Sequence, residues 1–400
     1  MPASLFFLFA LLLLPLVAEN TSKPKRVCLN MIVKDESHVI IRCLESVKDS
    51  IDYWVIVDTG STDGTQKIIQ NYLKDIPGEL HQRPWVDFAH NRNEALSRAK
   101  GKGDYLLFID ADEQLSFTNP LDKSKLDKDY YLAAVKQSNS SYQRILLINN
   151  RLSWKWKGVL HEMLDSEEAQ TSYVLDNVVT LSSTLDGNRS RDPQKYKKDA
   201  EVLEKALLSE PENARYVYFL AQSYLSAKEF IKALENFEKR ACMGGWDQEV
   251  FFSLYRSGML REYLNKPSET IIQRYSQAYQ IRPCRAEPLY RLACYFNRQG
   301  NPVLGYAVAQ LGITIPNPHD IVHTEDWIYE YGMLSIYADT ASALNKTTET
   351  KEAYEKLLKE PNLPQEMRQS IKYTERDSKV GISSASKPRG SKIVSDPILT

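Results

Sequence analysis

The stretch YLLFIDADE, residues 105–113, decides the fold. Its unbroken apolar run, Tyr105–Ile109, reads as a buried strand that ends at Asp110. Working upstream, residues 26–33 (RVCLNMIV) give another buried strand. A helix follows with Val39, Ile40, Cys43, Leu44 and Val47 on one face. Residues 54–57 (WVIV) are a strand ending at Asp58. Ser61 or Thr62 then caps a helix that turns Ile68, Ile69, Tyr72 and Leu73 inward. A short strand at 79–83 and a short helix at 91–99 complete the alternation. This order predicts an open, mostly parallel α/β sheet whose ligand site lies at the carboxyl ends of its strands. Asp58 and Asp110 stand at two such ends.

Downstream, from about residue 192, the period changes to that of helices. Within Asn213–Arg240, Leu220, Ala221, Tyr224, Ala233 and Phe237 occupy the large and small positions of a ~34-residue helix–turn–helix repeat. Leu254, Tyr255, Tyr275, Ala278 and Pro283 repeat the pattern with an insertion before Ile271. Leu292, Ala293, Phe296, Ala309 and Pro316 give a third copy, and residues 327–343 with 349–360 a looser fourth. Such units bury their faces only by stacking. After Arg376 the chain turns to Ser, Lys, Gly and Pro, the composition of a disordered tail. The expected division is therefore 1–21 as a hydrophobic targeting segment or anchor, 22–190 as the α/β domain, 191–375 as an all-α repeat domain, and 376–400 as tail.

With 51 basic and 52 acidic side chains, the chain has a formal charge of −1 and no electrostatic footprint for nucleic acid. Its five cysteines are scattered outside any metal-finger spacing, which predicts free thiols. Residues 5–18 form an apolar run of signal-peptide length, with Lys23, Lys25 and Arg26 after it and no basic residue before it. That order predicts membrane contact with the catalytic side cytoplasmic; the alternative is a cleaved signal and a lumenal or secreted protein. N-x-S/T triplets begin at Asn20, Asn139, Asn188 and Asn345.

Two segments carry chemistry. Asp110 and Asp112, two apart on an extended chain, point the same way and repel, so a divalent cation would relieve them. DTGSTDGT at 58–65 is a glycine-containing strand-to-helix turn suited to a negative ligand. Asp58 would accept hydrogen bonds from a base or a ribose. Trp154 and Trp156 would either stack on a ligand ring or be buried against the helices. Asp186, Arg189 and Arg191 would either bind a ligand or cap the first repeat helix. Trp246 is expected in the repeat core.

Taken together, MIVKDE (31–36), VDTGSTDGT (57–65), WVDFAHNRNEAL (85–96) and FIDADE (108–113) resemble the inverting GT-A glycosyltransferases of family 2. The branch they resemble fuses that Rossmann-like domain to tetratricopeptide-like (TPR-like) helices, and WKWKGVLHEML (154–164), DGNRSRDPQKY (186–196) and YVYFLAQSYL (216–225) continue the match. The resemblance implies that Val33, Glu36 and Asp58 contact the nucleotide and that Arg92 and Asn93 face the donor. It implies that Asp110 and Asp112 are the D-x-D motif, with Asp112 the direct ligand of Mn²⁺ or Mg²⁺, and that His161 returns to the metal or diphosphate. A general base is also required; Glu162 and Glu113 are the candidates. The expected function is metal-dependent, inverting transfer of a sugar from a UDP- or GDP-sugar to a glycan, lipid or protein, with the helices open to a protein partner. The alternative is a non-catalytic, membrane-associated scaffold with a degenerate GT-A domain.

Overall fold

A computed structural model describes residues 23–137, 140–175, 179–184, 186–318 and 320–380. The predicted anchor at 1–21, the triplets at Asn20 and Asn139, and the tail beyond 380 lie outside these residues.

Eleven strands form among the described residues: β1 (Val27–Val33), β2 (Tyr53–Asp58), β3 (Gly78–Gln82), β4 (Tyr105–Phe108), β5 (Glu113–Phe117), β6 (Tyr130–Gln137), β7 (Ser140–Asn149), β8 (Lys155–Lys157), β9 (Met163–Asp165), β10 (Ser172–Val174) and β11 (Val179–Ser183). The main sheet runs β3-β2-β1-β4-β7-β6-β11-β5, with β10 beside β6, and β8 pairs β9 separately. β1 to β4 pair in parallel, whereas β7 is antiparallel to both β4 and β6. The sheet is mostly parallel, as its alternating signals predict.

Three helices cover it: α1 (Ile40–Val47), α2 (Thr65–Tyr72) and α3 (Phe88–Arg98). Alternate residues of β1 enter two cores. Val27, Leu29, Met31 and Val33 join Ile40, Cys43, Leu44 and Val47 of α1. Cys28 meets Val55, Ala99 and Leu106 on the opposite face. Burial on both faces is the physical reason for the unbroken apolar runs. Asn30 donates its side-chain amide to the Ala95 carbonyl (2.8 Å) and pins α3 to β1.

The predicted cap of α2 is corrected. The helix starts at Thr65, after Gly60 and Gly64 with φ of 107° and 92°, and neither Ser61 nor Thr62 caps it. Those two serve the loop after β1: Ser61 Oγ accepts from the Asp35 amide (2.8 Å), and the Thr62 amide donates to Asp35 Oδ1 (2.7 Å). The two left-handed glycines lengthen the turn and release Ser61 and Thr62 from the helix end.

The second domain comprises α4 (Lys195–Ser209), α5 (Ala214–Ser226), α6 (Phe230–Cys242), α7 (Asp247–Tyr263), α8 (Ser268–Ile281), α9 (Glu287–Arg298), α10 (Pro302–Gly312), α11 (Met333–Ala343), α12 (Thr347–Leu357) and α13 (Gln365–Val380). A π-helical turn, Ile328–Gly332, precedes α11, and α13 continues beyond the predicted start of the tail. Leu220, Ala221, Tyr224, Ala233 and Phe237 are buried as the repeat pattern requires. Trp246 is not: it is 40% exposed at the start of α7, because the Gly244–Gly245 turn, both residues at positive φ, sets it outside the stack.

The two domains share one core. Leu160, with Val159 and Phe88 beside it, packs among Tyr216, Leu220 and the other helix residues. A second seam joins β7 to the segment after α10: the Gln143 amide donates to the Ile321 carbonyl (3.3 Å), and the Tyr142 and His323 rings lie 4.6 Å apart. No helix among the described residues is long and apolar enough to cross a membrane.

Candidate active site

Asp110 to Glu113 is a turn, not an extended strand end. β4 stops at Phe108, and the Glu113 amide donates to the Asp110 carbonyl (3.1 Å). The three carboxylates therefore meet different surroundings. Asp110 lies between two arginines, Arg92 Nη2 at 2.7 Å and Arg144 Nη1 at 3.4 Å. Burial alone would raise its pKa, but Arg92 and Arg144 together hold it below the usual carboxylate range. Glu113 is 3% exposed. It is clasped by Arg144 at 2.9 and 2.5 Å and accepts the Asp110 amide at 2.8 Å. Of the two candidate bases, Glu113 is thus spent on holding the turn.

Asp112 has no basic partner within ion-pair distance among the described residues. Burial, and then the Asp110 charge, push its pKa up. Its carboxylate lies against the backbone of Gly187, where a Cβ would come within 2.9 Å of Oδ2. Glu36 stands nearby and accepts the Asn188 amide at 3.2 Å. Burial raises Glu36 to about 7, with the Asp112 charge adding to the shift against the Asn188 hydrogen bond.

At the nucleotide end, Asp58 is fully buried. Its Oδ1 accepts from the amides of Gly60 (3.0 Å) and Ser61 (2.9 Å) and from Gln66 Nε2 (3.0 Å), whereas Oδ2 has no partner. A buried oxygen without a donor is an open acceptor for a ligand. Val33 does not line the site with its side chain, which is core; its carbonyl receives the Thr59 amide and hydroxyl.

Arg92 ties the turn to the GVLHE loop. Its Nε donates to Glu162 Oε1 (2.7 Å) while Nη2 holds Asp110, and its head lies 5.1 Å from the Trp156 ring centroid. Among the described residues, the second Glu162 oxygen has no hydrogen-bond partner. Asn93 is used structurally: it exchanges hydrogen bonds with the Trp156 carbonyl (2.9 Å) and amide (2.8 Å). The two tryptophans are packed between the sheet and α3, Trp156 edge-on to Phe108 and Trp154 edge-on to Tyr130.

His161 adopts a left-handed backbone (φ 50°) and stacks on Phe219 of α5 at 4.2 Å. Crowding by the cleft walls, then Arg189, Arg215 and Lys195, lower its pKa, so its imidazole is neutral at pH 7. The predicted trio of Asp110, Asp112 and His161 is not assembled as a metal site. Among the described residues, no three His, Cys, Asp or Glu side chains converge in that way. Asp110 is neutralised by arginines and the His161 ring is held by Phe219. Asp112 fits a divalent cation, being an acid with no counter-charge whose remaining ligands an incoming diphosphate would supply.

Asp186 pairs with Arg42 through both guanidinium nitrogens (2.9 and 2.7 Å) and does not cap α4. Arg189 pairs with Asp199 of α4 and lies 4.7 Å from the Phe88 ring centroid. Sequence reasoning missed Arg144, Arg42 and Lys195. Lys195 is the most informative of these: burial and then Arg189 lower its pKa, while Asp199 and, after it, Asp112 oppose them. The available signal was the lysine-rich start of α4, KYKK at residues 195–198.

Comparison with known proteins agrees with this geometry. Residues 28–119 match the model of glycosyl transferase family 2. A TPR repeat-containing protein of Synechococcus elongatus is 34% identical over 35% of this chain and 36% of its own length. The SPbeta prophage-derived glycosyltransferase SunS of Bacillus subtilis is 25% identical over 51% of this chain and 50% of its own. This chain thus spans half or less of the length of these relatives. Among solved structures, S. aureus TarS 1–349 in complex with UDP-GlcNAc aligns with 64% of this chain and 91% of its own at 15% identity and a TM-score of 0.34.

Proposed function

We propose that this chain, whose residues 28–119 form a family 2 glycosyl transferase domain, transfers a sugar from a nucleotide donor to an acceptor hydroxyl or other nucleophile with inversion. One observation carries the reading: at the carboxyl ends of β2 and β4 lie two acidic groups open to a ligand, Asp58 Oδ2, a buried acceptor with no partner, and Asp112, a carboxylate with no ion-pair partner among the described residues.

In this reading Asp58 Oδ2 accepts a hydrogen bond from the base or ribose. Lys195 and Arg189 face the diphosphate. Asp112 holds a divalent cation, Mn²⁺ or Mg²⁺, which when bound supplies neutralisation of the diphosphate leaving group. Glu162, fixed by Arg92 through one oxygen, takes the acceptor proton on the other. As the acceptor–anomeric carbon bond forms, the carbon–phosphate oxygen bond breaks on the opposite face and the nucleoside diphosphate departs. Direct displacement of this kind inverts the anomeric centre. The helical domain offers a surface for the glycan, lipid or protein that carries the acceptor.

The test is a panel of UDP- and GDP-sugars with Mn²⁺, Mg²⁺ or EDTA, scored by release of nucleoside diphosphate. Donor-selective, EDTA-sensitive release is expected. A folded protein that releases none with any donor and metal would instead be the non-catalytic scaffold. The apolar run at 5–18 and the basic residues after it further support membrane association with a cytoplasmic catalytic side. Membrane fractionation and protease protection in cells check that placement.

A further inference from the structure

Away from the strand ends, the helical domain carries an open-mouthed cavity of about 620 Å³. Its walls are the ends of α7 and α9, the start of α8, the π-helical turn with α11, and Met367 of α13. Tyr290, Tyr331 and Trp327 supply aromatic surface, and Asp339 lies in the wall. Trp327 meets Tyr290 edge-on at 5.0 Å and Tyr331 at 5.9 Å.

Asp339 differs from the buried, ion-paired acids of this domain. Glu249 is matched by Arg240 and Arg215, Glu287 by Arg285, Asp320 by Arg282 and Arg285, and Glu325 by Arg291. Glu262, the second acid lining the cavity, is held by Arg298 and by the Tyr275 hydroxyl (3.0 Å). Asp339 makes no hydrogen bond or ion pair among the described residues. Burial alone raises its carboxyl to about 6. The charged and titratable groups around it are the Glu262–Arg298 pair, Lys266 at the exposed rim, which makes no ion pair with it, and Tyr354 of α12. A half-buried acid without a partner favours a counter-ion.

The backbone supports the same conclusion. Single π-helical turns recur at functional sites, and Ile328–Gly332 is one. At Gly332 a Cβ would stand 2.6 Å from Trp327 Cζ3, so the glycine is what lets the indole lie in this wall. Aromatic rings and a carboxylate with no ion-pair partner in one wall suit an organic cation, and the Tyr290 ring already has the Arg291 guanidinium 5.6 Å from its centroid.

We propose that this cavity binds a cationic side chain, an ammonium or guanidinium carried on a peptide, with Asp339 as its counter-ion and Trp327, Tyr290 and Tyr331 as its aromatic wall. The volume, within the range of small-ligand pockets, admits a side chain with its flanking backbone. The site is a docking point for a basic segment of a partner protein, separate from the sugar-transfer centre.

The test uses the full chain and three blocked tripeptides, Ac-Gly-Arg-Gly-amide, Ac-Gly-Lys-Gly-amide and Ac-Gly-Gln-Gly-amide, observed by saturation-transfer NMR and titration. The basic tripeptides are expected to bind and the glutamine one not. Asp339→Asn should weaken the arginine tripeptide at least about tenfold while melting no lower than the parent chain, which separates lost binding from lost folding. Equal binding of basic and neutral tripeptides, unaltered binding by Asp339→Asn, or no binding at about 10 mM, weaker than any specific pocket of this size, overturns the proposal. Preference for a neutral hexose over all three peptides also overturns it and makes the cavity a carbohydrate subsite.

Discussion

Arg92 joins Asp110 to Glu162, so one guanidinium fixes both the acidic turn and the proposed base. Glu162→Gln keeps an oxygen for Arg92 and removes proton acceptance. It should lower kcat by about 10²-fold or more with little change in donor KM, as loss of a general base does. Unchanged kcat would exclude Glu162 as the base. Asp58→Asn is expected to act on binding instead, raising donor KM about tenfold with kcat nearly preserved. Asp339 gives a stability test. Its folded pKa, about 6, lies above the ordinary aspartate range, so the folded state binds the proton more tightly. Stability contributed by that proton is present at low pH and is lost as pH rises through 4 to 6, up to ~3 kcal/mol. Asp339→Asn should therefore melt above the parent chain at pH 7.5 and close to it at pH 4.5, as thermal melts would show.

Elements were legible in the sequence where burial imposed a simple pattern. β1, β2 and β4 read clearly because both faces are covered, and α1 because its four buried positions lie on one stripe. The strands from β5 to β11 were not read as a sheet, since they are short or polar and pair with partners far along the chain. The acidic turn was misread for a related reason: the D-x-D spacing is the same in a strand and a turn, and only Arg92 and Arg144, brought in by other elements, show where each carboxylate points. Of the candidate site residues, Asp58, Asp110, Asp112, Arg92, Glu36 and Glu162 gather at the strand ends, while Val33 and Asn93 serve the scaffold. Helix packing offers its own prediction. At Gly258 of α7, a Cβ would lie 2.7 Å from Tyr275 Cε1 of α8. Gly258→Ala should cost about 1–3 kcal/mol through overpacking, visible as a lowered Tm.

At the scale of the molecule, the change of period near residue 192 announced two domains but not their interlock. Leu160 and Val159 leave the α/β domain to pack in the helical core, and the seam at Gln143 and Ile321 closes the other side. Neither signal is periodic, so neither could be read from pattern alone. A fragment of residues 23–191 should consequently expose that apolar loop; it is expected to aggregate or to release no nucleoside diphosphate, whereas residues 23–380 remain soluble and active. Equal activity of the short fragment would show the repeats to be dispensable for chemistry.

The resting place of His161 has a wider consequence. Its ring lies on Phe219, and its carbonyl accepts from Arg215 (3.4 Å), both from α5. The residue next to the proposed base is thus seated on the other domain. Recombination that joined this catalytic half to a foreign helical array would misplace Glu162 unless the α5 surface came with it. The GVLHE loop and the α5 surface are therefore expected to vary together.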